Sequence, residues 1–371
     1  MPSSKKGIRI LINSLNFLNV RLEFAPYLLR FNEPGGTSRG VLTEKPTFFI
    51  KFYDEKNPEK FGIGEASVFP GLSPEADGNY VNKLLELMVN VALGRDTDLS
   101  HHSSILFGLE QAVYDFSNNC GQLYFPRNFT QGKQSVVING LIWMGDIEKM
   151  IERIDHKVHE GFECIKLKIG SIDWEKELEL LSYIRREYSE IDLTIRVDAN
   201  GAFTPDNCMD YVNDLADFAV HSIEQPIKAG QPEIMAKICK NSPIDIALDE
   251  ELIGKISREE KIKTLDEIHP DYIILKPSLC GGFSGASEWI SLAQERGIDW
   301  WVTSALESNV GLNAIAQWTS FLNPSGAQGL GTGGVYSNNF ETPIYLNSDN
   351  LCYNSFVKSD YQQFSKLNWH R

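Results

Sequence analysis

Thr194-Ile195-Arg196-Val197-Asp198-Ala199-Asn200 is a short β-rich run that delivers a carboxylate at its end and then turns. The same pattern recurs on both sides of it. Upstream, Cys164 to Lys168 ends on a lysine; downstream, Ser222 to Glu224, Asp245 to Asp249 and Tyr272 to Lys276 end on two more acids and a second lysine. Lys168, Asp198, Glu224, Asp249 and Lys276 are spaced by 30, 26, 25 and 27 residues, each interval the length of one strand, one turn and one helix. Val136 to Asn139 and Asp299 to Thr303 extend the series to seven strand candidates, and a weaker eighth lies near Gln328. Amphipathic helical segments fill the intervals, so the alternation predicts an α/β fold of parallel strands with helical crossovers. A closed barrel of eight such strands takes roughly 200 to 250 residues, and the stretch from residue 135 to about residue 340 supplies that length.

In such a barrel the C-terminal ends of all strands open on one mouth, so the five charged residues converge there. A polar residue at one strand end needs no function, because the chain is reaching solvent. Five in order are a different matter. Three carboxylates converging without a cation would raise one another's pKa, which makes Asp198, Glu224 and Asp249 candidate ligands of a divalent metal. An all-oxygen set favours Mg²⁺, with Mn²⁺ as a substitute, and disfavours zinc. The seven histidines, His101, His102, His156, His159, His221, His269 and His370, end none of the strands and are read as structural or surface residues. Lys166 and Lys168 lie two apart on one strand and share its barrel-facing side. Mutual repulsion beside a cation is expected to lower both pKa values, and a neutral lysine is a usable general base for the acidified α-hydrogen of a carboxylate.

The rest of the chain restricts the partners. With 35 basic and 50 acidic residues the formal charge is −15, which repels nucleic acid and anionic lipid, and no apolar stretch is long enough to span a bilayer. The expected partner is a small-molecule carboxylate, met by local positive charge inside an acidic protein. Six scattered cysteines without a Cys-x-x-Cys pair suit reduced thiols and a cytoplasmic setting. Met1 to Arg9 runs into an Asn-interrupted apolar segment that reads as a first strand, Ile8 to Ile12, rather than a signal peptide. A second strand over Thr47 to Tyr53 and a helix over Ala76 to Leu93 make the first hundred residues α+β material. Asn32 to Thr43 and Gly64 to Ser73 have loop composition.

Lys166-Leu167-Lys168, Asp198-Ala199-Asn200, Glu224-Gln225-Pro226, Asp249-Glu250 and Lys276-Pro277 together resemble the muconate-lactonizing subgroup of the enolase superfamily, whose sites pair Lys or His bases with magnesium. The resemblance implies a (β/α)7β modified TIM barrel with an N-terminal α+β capping domain: residues 1–105 as the cap, 106–345 as the barrel, and 346–371 packing back on the cap. Gly64-Glu65-Ala66, Pro70-Gly71-Leu72-Ser73, Asn139-Gly140-Leu141, Ser304-Ala305-Leu306-Glu307-Ser308 and Gly329-Leu330-Gly331-Thr332-Gly333 are most similar to a hydro-lyase family of that subgroup. That likeness implies loss of water from 2-succinyl-6-hydroxy-2,4-cyclohexadiene-1-carboxylate to give 2-succinylbenzoate, a step of menaquinone biosynthesis.

By the same resemblance Lys168 is the base, Lys276 steadies the intermediate from the opposite side and Lys166 tunes Lys168. Asn200, Gln225, Glu250 and Arg196 are candidates for a supporting shell around the acids. Ser304, Gly331 and Thr332 are candidates for holding the substrate, partly through backbone N–H groups, and the loops at 32–43 and 64–73 are expected to cover the mouth. An N-acylamino acid racemase, a dipeptide epimerase or a cycloisomerase would use the same lysines and acids, although the Asp-x-Asp of dipeptide epimerases has no counterpart in Ser304 to Ser308. A non-catalytic carboxylate-binding barrel is the reading from another class, and it would be marked by a missing lysine or acid. An oligomer is compatible with all of these.

Overall fold

The computed structural model describes residues 19–37, 40–170 and 172–371; the strand expected over Ile8 to Ile12 lies outside them. Two long arms, β1 (Val20–Thr37) and β2 (Gly40–Asp54), pair antiparallel, and β3 (Phe61–Ala66) adds to the far edge of β2. Helices α1 (Tyr80–Ala92) and α2 (Ser103–Ser117) bury their apolar sides against this sheet in a cluster that includes Leu22, Phe24, Ile50, Leu84 and Leu109. β3 lies unusually close to α2, and its glycines are the reason. A Cβ on Gly62 would stand 2.0 Å from the Ala112 carbonyl oxygen, and one on Gly64 the same 2.0 Å from that of Gly108. Only residues without side chains let the two backbones approach this far.

In the stretch expected as a loop over Asn32 to Thr43, the described residues 32–37 and 40–43 are instead the far ends of β1 and β2, with Gly35 opposite Leu42 and Thr37 opposite Gly40 after a register shift between Arg30 and Gly35. Its glycine and serine content misleads. A Cβ on Gly35 would come within a tight 3.2 Å of the Trp143 ring, and Asn32 ties the arm to the glycine-rich stretch through Val335 O and Gly334 O. The second expected loop is shorter than its composition suggests, since β3 takes Gly64 to Ala66. The helix expected from Ala76 begins four residues later, at Tyr80.

The remaining chain runs β4 (Val136–Val137), β5 (Gly140–Ile142), α3 (Ile147–His159), β6 (Cys164–Lys168), α4 (Trp174–Glu187), β7 (Thr194–Asp198), α5 (Cys208–Ala216), β8 (Ser222–Glu224), α6 (Pro232–Asn241), β9 (Asp245–Leu248), α7 (Arg258–Ile268), β10 (Tyr272–Leu275), α8 (Gly282–Gln294), β11 (Asp299–Val302) and α9 (Asn309–Leu322). Strands β5 to β11 form one parallel sheet in chain order. The sheet closes through two residues: Gln328 bridges Ile138 and Gly329 bridges Thr303, both in the parallel sense. The result is a (β/α)7β barrel whose eighth strand is reduced to its minimum.

The expected first strand, Val136 to Asn139, is corrected by this arrangement. Val136–Val137 pairs antiparallel with β13 (Asn350–Tyr353), which follows β12 (Ile344–Asn347), and the first strand of the parallel sheet is β5. Sequence could not separate them, because Ile138 and Asn139 continue the β-rich run without a break.

Along the barrel strands alternate residues face opposite sides. Ile165, Leu167, Ile195, Val197, Ile223, Ile246 and Ile273 are buried in the main core, while Lys166, Lys168, Arg196 and Asp198 take the other parity. Caps fix where helices begin: Asp146 accepts from Lys149 N at 2.9 Å, and Ser257 with Glu260 forms a full capping box. The C-terminal segment returns to the first sheet, where His370 N donates to Phe24 O and the two rings stack at 4.7 Å. Among the described residues no helix is long and apolar enough to cross a membrane.

Candidate active site

β6, β7, β8 and the turns after β9 and β10 bring all six primary residues to one end of the barrel. Asp198, Glu224 and Asp249 are at most 2 % exposed, so each charge must be met locally. Lys166 Nζ lies 2.5 Å from Glu224 Oε2 and 2.9 Å from Asp198 Oδ2. Lys168 Nζ reaches Asp198 Oδ2 at 2.5 Å and Asn200 Oδ1 at 2.7 Å. Lys276 pairs with Asp249 and stands 4.0 Å from Glu224 Oε1.

The electrostatics distinguish the two lysines of β6. Burial lowers Lys168, and Lys166 and Lys276 push the same way against the attraction of Asp198. Lys166 departs from the expectation that both would fall. Burial pulls it down as well, but Asp198 and Glu224 outweigh it and hold the ammonium above its ordinary value. The difference follows from contact: Lys166 touches two carboxylates and Lys168 one. On the acid side, burial works against ionisation of Asp198, yet three lysines hold its pKa well down. Burial and the nearby Asp198 push Glu224 up to about 8.

Among the described residues no three acidic, histidine or cysteine side chains stand as a ready-made metal cage; ammonium groups are interleaved with the acids. The donor set nonetheless fits a hard divalent cation. It consists of carboxylate oxygens only, and Glu224 Oε1 is buried without a hydrogen-bond partner, an oxygen that has lost water and gained no donor.

The supporting residues divide. Gln225, in left-handed backbone with φ 41°, accepts from Asp249 N at 3.1 Å and Glu251 N at 3.2 Å, which fixes the turn carrying Asp249. Asn200, also left-handed at φ 46°, accepts from Lys168, donates to Glu250 Oε1 at 3.1 Å and gives its backbone N–H to Asp198. Asn200 and Glu250 therefore meet the cluster as expected. Arg196 does not. Its guanidinium stacks over Trp301 at 4.1 Å and donates to Ala327 O at 2.7 Å, one inward-facing position nearer the barrel floor than Asp198. Two residues along a strand amount to nearly 7 Å, enough to put the side chain in a different layer.

The lysines open onto a cavity roofed by Leu42 and Phe69 and walled by Leu141, Trp143, Ser304, Gly331 and Thr332. Ser304 Oγ and Thr332 Oγ1 are hydrogen-bonded at 2.7 Å. The Ser304 backbone N–H is given to Gly329 O in closing the barrel, so that residue presents its hydroxyl and not its amide. At Gly331 a Cβ would come within 3.2 Å of Asn139 O. Leu42 and Phe69 fall within the two stretches expected to cover the mouth. Trp143 was missed, and its only sequence trace is a large aromatic just beyond β5. Lys45 was missed as well, and Glu65 and Glu307 stood in quoted motifs without a role: Lys45 lies before the strand expected over Thr47 to Tyr53, Glu65 lies in a stretch of loop composition, and all three are buried in the structure.

A family model described as Enolase C-terminal domain-like matches residues 149–341. The o-succinylbenzoate synthase of Desulfotalea psychrophila is 45% identical, in a match spanning 85% of this chain and 94% of that protein. The crystal structure of MenC from the same organism superposes with a TM-score of 0.80 at 40% identity, covering 90% of this chain and 99% of that one. The L-Ala-D/L-Glu epimerase of Bacillus subtilis gives a TM-score of 0.77 over 91% and 97% of the two chains at 18% identity, a likeness of fold alone.

Proposed function

Because the chain belongs to the o-succinylbenzoate synthase family of the enolase superfamily, we propose that it is a hydro-lyase of menaquinone biosynthesis that converts 2-succinyl-6-hydroxy-2,4-cyclohexadiene-1-carboxylate to 2-succinylbenzoate and water. The observation that carries this reading is the set of three lysines, from β6 and the end of β10, opening on one cavity beside three buried carboxylates, in a chain 45% identical to a synthase of that name.

Lys168 is the proton carrier in this reading. It takes the proton from the ring carbon that bears the carboxylate. The electron pair left behind delocalises into the carboxylate, and its return expels the hydroxyl from the neighbouring carbon as Lys168 gives its proton back to that oxygen. Water leaves, and the ring becomes aromatic. Burial keeps the neutral amine of Lys168 accessible, while Lys166, held charged by Asp198 and Glu224, supplies fixed positive charge next to the developing negative charge. Lys276 supplies the same from the opposite side of the cavity and is suited to a cation–π contact with the ring.

The superfamily works with a divalent metal ion. We assign Mg²⁺, with Mn²⁺ able to replace it, to Asp198, Glu224 and Asp249; when bound, such an ion supplies charge that stabilises the carboxylate as its α-proton departs. Asn200, Gln225 and Glu250 would orient those acids. Ser304, Thr332 and the close backbone at Gly331 would receive the succinyl arm, and Leu42 and Phe69 would exclude water. A 1–105 cap, a 106–345 barrel and a 346–371 return segment are the division that fits this reading. Six unpaired cysteines suit a cytoplasmic setting.

The test is absorbance-monitored conversion of the cyclohexadiene carboxylate by purified protein with Mg²⁺ and then with excess EDTA. Metal-dependent aromatisation is expected. Folded, metal-loaded protein that leaves this substrate untouched but racemises N-acyl amino acids or epimerises dipeptides would overturn the proposal.

A further inference from the structure

We propose that Glu65, on β3, is a positioning residue that sets the shape of the cavity wall on the opposite body of the molecule. Its carboxylate is completely buried and has four short partners. Oε1 accepts from Thr47 Oγ1 at 2.9 Å and from Ser308 N at 3.0 Å; Oε2 accepts from Ser308 Oγ at 2.5 Å and from Gly311 N at 3.0 Å. Three of the four donors lie at the N-terminus of α9, the amide and hydroxyl of its N-cap Ser308 and the amide of Gly311 in its first turn, where amide hydrogens lack intrahelical acceptors and the helix dipole favours an anion. Glu65 therefore reaches out of the three-stranded sheet and caps a barrel helix alongside Ser308, whose own Oγ accepts from Val310 N.

What lies just before that turn gives the contact its consequence. Thr303 to Leu306 line the cavity, and Leu306 sits in left-handed backbone at φ 58°, a conformation that a leucine holds only when its surroundings impose it. Neighbouring hydrogen bonds impose it. Tyr336 donates to Leu306 O at 2.7 Å, and Glu307 accepts from Ala305 N at 2.7 Å and from Ser278 Oγ at 2.6 Å. Glu65 pins the following residue, Ser308, from outside. With Ser308 fixed, the strained turn has a fixed end. Among the described residues the ammonium groups of Lys166, Lys168 and Lys276 bond Asp198, Asn200, Glu224 and Asp249 and not this network, so its loss loosens the wall that receives substrate and leaves the proton-transfer groups in place.

This inference rests on the proposed dehydratase reading, and the experiment keeps the two apart. Wild-type protein is first shown to turn over the cyclohexadiene carboxylate, and its affinity for the product 2-succinylbenzoate is measured by calorimetry; failure of both removes the functional reading and this proposal with it. Given wild-type activity, E65Q keeps the shape but replaces one acceptor oxygen by a donor facing other donors. It is expected to raise KM and the product Kd by about ten-fold or more with kcat within about three-fold of wild type, the pattern of lost uniform binding. A second variant reaches the same point differently. In G311A the new Cβ would stand 2.8 Å from Glu65 Oε2 and 2.8 Å from Glu307, and the same split is expected. If E65Q does not fold, G311A decides alone. KM and Kd at wild-type values in a folded variant, or a fall in kcat with KM unchanged, would overturn the proposal, whatever the change in thermal stability.

Discussion

Glu110 on α2 gives a stability effect that can be worked out before it is measured. Its carboxylate is buried and accepts from Phe283 N at 2.6 Å and Ser284 N at 3.2 Å, at the start of α8, the helix that follows the strand leading to Lys276. Burial dominates those bonds and raises its pKa from 4.5 to about 7. The folded protein therefore holds this proton more tightly than the unfolded chain does. The associated stability is fully present below pH 4.5 and is lost as pH rises through about 7. A shift of that size corresponds to about 3 kcal/mol. In E110Q the side chain is neutral at every pH, so subtracting its stability from that of wild type isolates this one group; Asp115, raised to about 6 mainly by burial, titrates alike in both and cancels. Urea unfolding followed by circular dichroism at pH 4, 6 and 8 is the assay. E110Q is expected to gain on wild type by about 3 kcal/mol across that range. Stability curves that run parallel across the range would refute the argument that burial outweighs the helix-terminal hydrogen bonds.

Other outcomes follow from the same structure. K168A is expected to lower kcat by at least about 10²-fold while circular dichroism and calorimetric Mg²⁺ binding stay near wild type; substantial remaining turnover would remove the assigned base. D198N is expected to weaken Mg²⁺ binding and, in the same calorimetric series, to abolish the EDTA-sensitive part of the activity; unchanged metal affinity would place the ion elsewhere. G64A drives a methyl group to 2.0 Å from the Gly108 carbonyl oxygen, and the forced separation of β3 from α2 is expected to cost several kcal/mol, read as a fall in urea midpoint. A G64A protein as stable as wild type would mean that β3 and α2 can move apart freely.

The barrel was legible because its evidence is periodic. Five charged strand ends at nearly constant intervals survive any uncertainty in individual boundaries, and the strand parity that separates Ile165 and Leu167 from Lys166 and Lys168 is local to a few residues. What failed was information held by the partner and not by the segment. Asn32 to Thr43 has the composition of a loop, yet its described residues, 32–37 and 40–43, belong to two paired strands, with Gly35 packed against Trp143. Val136 to Asn139 reads as one strand, yet its two halves serve different sheets. Arg196 has the right parity to join the acids and the wrong height, because parity repeats every two residues and says nothing about depth. Lys166 rises where repulsion alone would lower it, and only the distances to two carboxylates decide the sign. The role inferred for Glu65 was out of reach for the same reason, since three of its four donors lie 243 or 246 residues away along the chain.

Among the described residues the barrel is closed by the bridges of Gln328 and Gly329, and Gly329, Gly331 and Thr332 are also cavity wall. One short piece of chain is therefore both the clasp of the cylinder and a lip of the pocket. A ligand that meets this lip only while the clasp is closed stabilises the closed clasp by its own binding free energy. Amide exchange at Gly329, whose N–H is donated to Val302 O, becomes a gauge of occupancy: it should slow in proportion to ligand bound, while amides on the outer helices keep their pace.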